Sequence, residues 1–332
     1  MKFIILSDQN KRAQAVYPEH IREQIAQRGE LAPGVISSHG LEGKRAELED
    51  CEVIFSTWGM PKLSSEQIKR LFPNLKAVLY AAGTVQGFAA EFIDCSVHVC
   101  SAWRANAVPV AEYTFSQIIL AQKGFFQSSR LVKKNQAAAY LHHKNHTGNY
   151  GAKIGVIGVG AIGSLLCEML KQINCTVYAY DPFLSAQRAA QLGVELTDLK
   201  TIFSQCDVIT NHLANKAELK GLFNYDMFKL MKPYSTFINT GRGDQVEESD
   251  LARAMREDRT RTAVLDVTRT DIITAANPMT RCRNVFQTPH IAGSAGQEVW
   301  RMSEYMIAEL DRLLAGEPLV HEVTREMLEL MA

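Results

Sequence analysis

The chain has 332 residues, 46% of them hydrophobic and 22% charged, which is enough apolar material for one or two compact domains. Its 36 basic residues balance 36 acidic ones, so no net charge draws it toward nucleic acid or an acidic surface. Seven cysteines at irregular spacing, with no Cys-x-x-Cys pair, argue against a thiolate zinc framework and read as reduced, mostly buried thiols of a cytoplasmic protein.

Residues 2–6 form a short apolar run that turns polar at Ser7, which predicts a first strand and is too short for a secretory leader. Residues 53–56 and 77–80 are rich in β-formers, 97–100 is a further candidate strand, and 65–71 reads as a helix capped by Ser64 or Ser65. From 107 to about 139 a helical pattern has few breakers, and reads either as one long helix or as a helix followed by a flexible joint. A second run of strands is predicted at 153–157, 176–180, 208–212, 236–239, 262–266 and 285–287, with helical stretches between several of them. The last clear helix covers about 297–314, before Gly316 and Pro318. This alternation predicts an α/β fold built on a doubly wound parallel sheet. Residues 154–170 are apolar but contain four glycines and Glu168, so they read as strand, turn and helix and not as a membrane span.

That stretch carries the sharpest local signal, Gly158-Val159-Gly160-Ala161-Ile162-Gly163. Gly158 suits a tight turn, Gly160 a close backbone approach to a pyrophosphate, and Gly163 close helix–strand packing, with Ala161 and Ile162 opening the helix. A bare glycine pattern also makes ordinary turns, but here strand, loop and helix fall in order. Asp181 ends the next strand 18 residues past Gly163, near the spacing of about 20 expected for an acid on the ribose hydroxyls. No basic residue immediately follows it, which favours NAD over NADP; the plainer reading of Asp181 is a cap on the turn before Pro182.

Hydride chemistry on a carbonyl needs a cation for the substrate and a proton donor for the developing alkoxide. Arg242 follows a strand within Asn239-Thr240-Gly241-Arg242-Gly243, where its fork suits the planar oxygens of a 2-oxo acid, although an arginine in a glycine-rich loop is more often a plain surface residue. His290, after Pro289 at the end of 285–287, fits the acid/base role, with a structural loop histidine at even odds. Asp271 is the expected partner of its imidazole. Asp266 is the rival partner, or serves the loop backbone; together with His212, Thr240 and Gly241 it is placed on the cofactor side, packing being the plainer role for His212. His142, His143 and His146 lie in a polar stretch without nearby acidic ligands, so no metal is expected there.

The segments IGVIGVGAIG from Ile154, KPYSTFINTGRG from Lys232, AVLDVT from Ala263 and TPHIAGS from Thr288 resemble the D-isomer-specific 2-hydroxyacid dehydrogenase family, with weaker matches at AAGTVQG from Ala81 and ANAVPVAEYT from Ala105. The resemblance implies two Rossmann-like domains with the active-site cleft between them: a substrate domain of residues 1–103 rejoined by 297–332, and an NAD domain of 104–296. It implies that Arg242 binds substrate, that His290 is the acid/base, and that Ala82, Gly83 and Thr84 cradle the substrate carboxylate. It implies a homodimer joined mainly through cofactor domains, with helix 107–122 at the contact. Two departures stand out: Asp271-Ile272 occupies the family's Glu-Pro place, and Ala161 sits where many members carry a basic or amide residue. Trp58 and Trp103 are placed either lining the substrate pocket, which then suits an apolar side chain, or packing one domain on the other. The reaction expected is interconversion of a 2-oxo acid and a 2-hydroxy acid. The alternatives are a catalytically weak dinucleotide-sensing regulator, or oxidation of a small anion such as formate or phosphite.

Overall fold

The computed structural model describes residues 1–270, 274 and 276–330, the side chains of 329 and 330 excepted. The chain divides into two compact units, residues 1–106 with 294–332, and residues 107–293.

The first unit is built on five parallel strands, β1 (Lys2–Leu6), β2 (Glu30–Leu31), β3 (Cys51–Ser56), β4 (Ala77–Tyr80) and β5 (His98–Ser101), in the order β2-β1-β3-β4-β5. Its strands are apolar on both faces because each face is covered. Ile4, Ile54 and Val78 enter one core with Ile68 and Phe92, while Phe3, Phe55 and Leu79 enter the other with Ile21, Met302 and Met306. The helix Ser65–Leu71 begins where Ser64 Oγ accepts the Gln67 N–H and the Gln67 side chain accepts the Ser64 N–H, a reciprocal cap. The helix Glu298–Ala315 ends at Gly316 with φ 69°.

The second unit holds seven parallel strands, β6 (Ala152–Ile157), β7 (Cys175–Tyr180), β8 (Glu195–Leu196), β9 (Val208–Asn211), β10 (Thr236–Asn239), β11 (Thr262–Leu265) and β12 (Val285–Gln287), in the order β12-β11-β10-β9-β6-β7-β8. The sequence predicted six of these; β8 has two residues, both exposed, too few for an alternating pattern to show. The chain reverses direction across the sheet between β6 and β9, the switch point at which open α/β sheets bind ligands beyond their carboxyl ends. In the first unit the corresponding point lies between β1 and β3.

The predicted helical stretch from 107 resolves into three pieces, Trp103–Gln122, Phe125–Leu131 and Gln136–Lys144. Gly124, at φ 63°, makes the first break, and Asn135 starts the last piece by accepting the Ala138 N–H. Among the described residues no helix is long and apolar enough to cross a membrane.

Candidate active site

The loop after β6 is shaped by sterics. Gly158 has φ 86°, and a Cβ there would lie 2.7 Å from the His212 carbonyl carbon. A Cβ on Gly163 would lie 2.1 Å from Gly158 O, so the helix Ala161–Leu170 sits against the turn only because Gly163 has no side chain. Gly160, the N-cap, faces open space. The N–H groups of Ala161 and Ile162 meet no acceptor among the described residues. Two unmatched donors, a helix N-terminus and an unobstructed backbone fit the pyrophosphate of a dinucleotide. Asp181 stands beside them, its Oδ2 accepting the Val159 N–H at 2.7 Å and its Oδ1 the Phe183 N–H at 2.8 Å. It therefore caps its turn and grips the glycine loop together, and each oxygen keeps a lone pair for a ribose hydroxyl.

Three buried carboxamides fasten the loops after β9 and β10 to each other. Asn211 Nδ2 donates to Asn239 Oδ1 at 3.0 Å and to Gln245 Oε1 at 2.7 Å. Asn239 in turn accepts the Gly241 N–H at 3.1 Å and donates to Arg242 O at 3.1 Å, while Gln245 Nε2 donates to Ala214 O at 2.8 Å. All three are at most 1% exposed, and their mutual pairing removes the cost of burying them. Gly243 packs so closely on Thr268 that a Cβ would lie 2.0 Å from its backbone. The loop thus holds Arg242 half-buried in an extended conformation. Its guanidinium donates to Gly241 O at 2.9 Å, has no carboxylate partner among the described residues, and has its pKa lowered by burial. A desolvated, unneutralised fork of this kind calls for an anion.

His212 joins a hydroxyl relay. Thr114 donates to Val110 O at 2.8 Å, which leaves its oxygen to accept from Thr240, 3.2 Å away. The Thr240 oxygen then accepts from His212 Nδ1 at 3.2 Å, and His212 Nε2 accepts from Thr210 at 3.0 Å. Because a carbonyl can only accept, the hydroxyls share one polarity and Nδ1 carries a hydrogen, so the neutral ring is the Nδ1–H tautomer. Burial pushes the His212 pKa down to about 3, in agreement.

His290 lies exposed at the end of β12 with φ 56°, a left-handed conformation that few non-glycine residues adopt. What holds it there is Asp266, 3% exposed. Its Oδ1 accepts from Thr288 Oγ1 at 2.7 Å and the Ile291 N–H at 2.8 Å, its Oδ2 accepts the Ala292 N–H at 2.9 Å, and its carbonyl accepts the His290 N–H at 2.9 Å. Both carboxylate oxygens of Asp266 serve the loop that carries the histidine. Tyr113 reaches the same threonine at 3.0 Å. Asp271 and Ile272 lie outside the described residues.

In the first unit, Ala82, Gly83 and Thr84 follow β4. Thr57 Oγ1 donates to Ala81 O at 2.9 Å, and Ser101 Oγ lies 3.0 Å from Ala82 O and 2.5 Å from Gly83 O. Among the described residues no acceptor meets the N–H of Gly83 or of Thr84, so two donors remain for an anion. His142 and His146 pack edge-on at 4.8 Å and both rings approach Tyr234, an aromatic cluster.

Asn211, Asn239, Gln245, Thr114 and Thr288 carried no role of their own in the sequence reading. Their one signal was a polar residue closing an apolar strand, as at Asn211 and Asn239.

Residues 115–292 match the profile described as D-isomer specific 2-hydroxyacid dehydrogenase, NAD binding domain. The chain is 30% identical over 233 residues to the D-3-phosphoglycerate dehydrogenase of Archaeoglobus fulgidus, over 70% of this chain and 44% of that one. It spans about half the length of the curated relatives it matches. A phosphoglycerate oxidoreductase from Rhizobium etli superposes with a TM-score of 0.82 at 19% identity, covering 98% of this chain and 99% of that one. A D-isomer specific 2-hydroxyacid dehydrogenase from Lactobacillus delbrueckii ssp. bulgaricus, in its NAD-complexed form, does so with 0.79 at 17% identity, covering 98% and 100%.

Proposed function

Since this chain belongs to the D-isomer specific 2-hydroxyacid dehydrogenase family, we propose that it interconverts a 2-oxo acid and a D-2-hydroxy acid with NAD. The observation that carries this reading is Arg242, presented with no carboxylate partner among the described residues on a loop locked to the strand end beside the glycine turn. NAD is assigned to Gly158, Gly160, Ala161, Ile162, Gly163 and Asp181, with His212, Thr240 and Gly241 as further residues that would hold it; when bound it would supply the hydride acceptor, and NADH the donor.

The chain's own residues do the rest. Arg242 pairs with the planar carboxylate and carbonyl oxygens and stabilises negative charge as it develops on the carbonyl oxygen. The N–H groups of Gly83 and Thr84, on the loop begun by Ala82, take the carboxylate. His290 delivers a proton from its imidazolium to the nascent alkoxide, and recovers it in oxidation. Asp271 serves as the carboxylate that favours the imidazolium. Asp266 acts through the His290 loop backbone as a positioning residue. We assign the protein to the cytoplasm as a homodimer, with helix 107–122 at the contact.

The test is a panel of 2-oxo acids with NADH and NADPH, followed by loss of absorbance. Turnover with at least one acid, preferring NADH, is expected. Tight NADH binding without turnover of any acid would overturn the reading.

A further inference from the structure

At the switch point of the first unit the loops after β1 and β3 are bolted together. Ser7 Oγ donates to Trp58 O at 2.9 Å, and the Asp8 N–H donates to Gly59 O at 2.7 Å. This fixes the half-buried Trp58 indole under the guanidinium of Arg12, whose centre lies 5.3 Å from the ring. One arm of that guanidinium donates to Gln9 Oε1 at 3.2 Å. Arg12 has no acidic partner among the described residues. The nearest acid in sequence, Asp8, is engaged by the backbone and hydroxyl of Ser38. The adjoining loop is the carboxylate cradle, through Thr57 and Ala81. Beyond the cradle, the place of a Cβ on Gly87 is 3.7 Å from Lys62 Cε, and Lys62 also has no acidic partner among the described residues. Two unneutralised cations thus stand on the same strand-end face as the donors of Gly83 and Thr84.

We propose that Arg12, held on Trp58 and seconded by Lys62, determines specificity for a 2-oxo acid that bears a second anionic group at its distal end. This rests on the function proposed above. The cradle and Arg242 account for one carboxylate and one carbonyl; a monoanionic acid leaves both further cations without a partner, whereas a second carboxylate or a phosphate gives them one. The indole contributes a flat wall that pre-orients the fork, so an arginine there is worth more than a free surface cation.

The experiment compares kcat/KM of the whole protein with NADH for three groups of acids: oxaloacetate and 2-oxoglutarate; hydroxypyruvate phosphorylated on its hydroxyl; and pyruvate, 2-oxobutyrate and 4-methyl-2-oxopentanoate. Wild type, Arg12→Gln and Lys62→Gln are each assayed, with circular dichroism to confirm folding. The dianionic acids should be preferred at least tenfold, the carboxylate and phosphate arms showing which source of charge fits. Arg12→Gln should remove at least tenfold of that preference while moving the monoanionic acids less than threefold. Quenching of tryptophan fluorescence by succinate, but not propionate, should vanish in the same variant. Monoanionic acids as good as dianionic ones, or equal losses on both, would overturn the inference and leave the parent reading standing. Absence of turnover with every acid would overturn the parent reading itself.

Discussion

Thr288 gives its hydroxyl proton to Asp266 at 2.7 Å, two residues before His290. The same carboxylate takes two loop amides, so it shapes the turn that points the imidazole. In Asp266→Asn one acceptor oxygen becomes a donor facing an N–H group. We expect a loss of about 1–3 kcal/mol in stability, the usual cost of a buried unmatched polar group. We also expect kcat to fall with little change in KM for NADH. Denaturant melts and steady-state kinetics check both; unchanged melts would show the carboxylate to be dispensable.

His290→Ala should reduce kcat/KM for 2-oxo acid reduction by roughly 10²–10⁴-fold, the scale of a lost acid/base group. NADH affinity, measured by fluorescence titration, should remain. A near-normal rate would remove His290 from the mechanism.

Gly163→Ala places a methyl on Gly158 O, where the separation would be 2.1 Å. The helix must shift away from the turn, and NADH binding should weaken at least tenfold with a lowered Tm. A variant with wild-type affinity would mean that the helix start tolerates displacement.

His212 and His142 titrate low in the folded state, about 3 and about 4 against an ordinary 6.5, chiefly because burial disfavours the charged ring. Between those values and 6.5 the unfolded chain binds more protons than the folded one. The stability from these rings is therefore complete above pH 6.5 and is lost as pH falls toward 4 and then 3. Urea midpoints should decline across that window, and His142→Gln should flatten the decline. Nitrogen-15 spectra should keep the neutral Nδ1–H pattern for His212 from pH 8 to 5; an imidazolium pattern at pH 5 would contradict the relay.

Much of this was legible in the residues because periodicity and glycine spacing are local properties. Gly158 and Gly163 announce their packing, and Thr240-Gly241-Arg242-Gly243 announces a tight loop at a strand end. The bonds that make the site rigid were not legible, since they join residues far apart in the chain: Thr114 with Thr240, Asn211 with Gln245, Asp266 with Thr288. Asp266 shows the limit well. Its position at a strand end allowed an imidazole partner, a cofactor ligand or a loop anchor, and only the three-dimensional arrangement shows both of its oxygens held by the loop. The break at Gly124 was similarly open, because a glycine inside a helical pattern is tolerated unless its neighbours force a positive φ.

The fastening made by Asn211, Asn239 and Gln245 consists entirely of uncharged groups. Dissolved electrolyte has nothing there to shield, and neither acid nor alkali within the working range alters the protonation of a carboxamide. These bonds, and with them the tie from Asn239 to Arg242 O, should accordingly be the same in dilute buffer and in concentrated brine, and the part of this loop that salt can weaken is the pairing of Arg269 with Asp244 and Glu247.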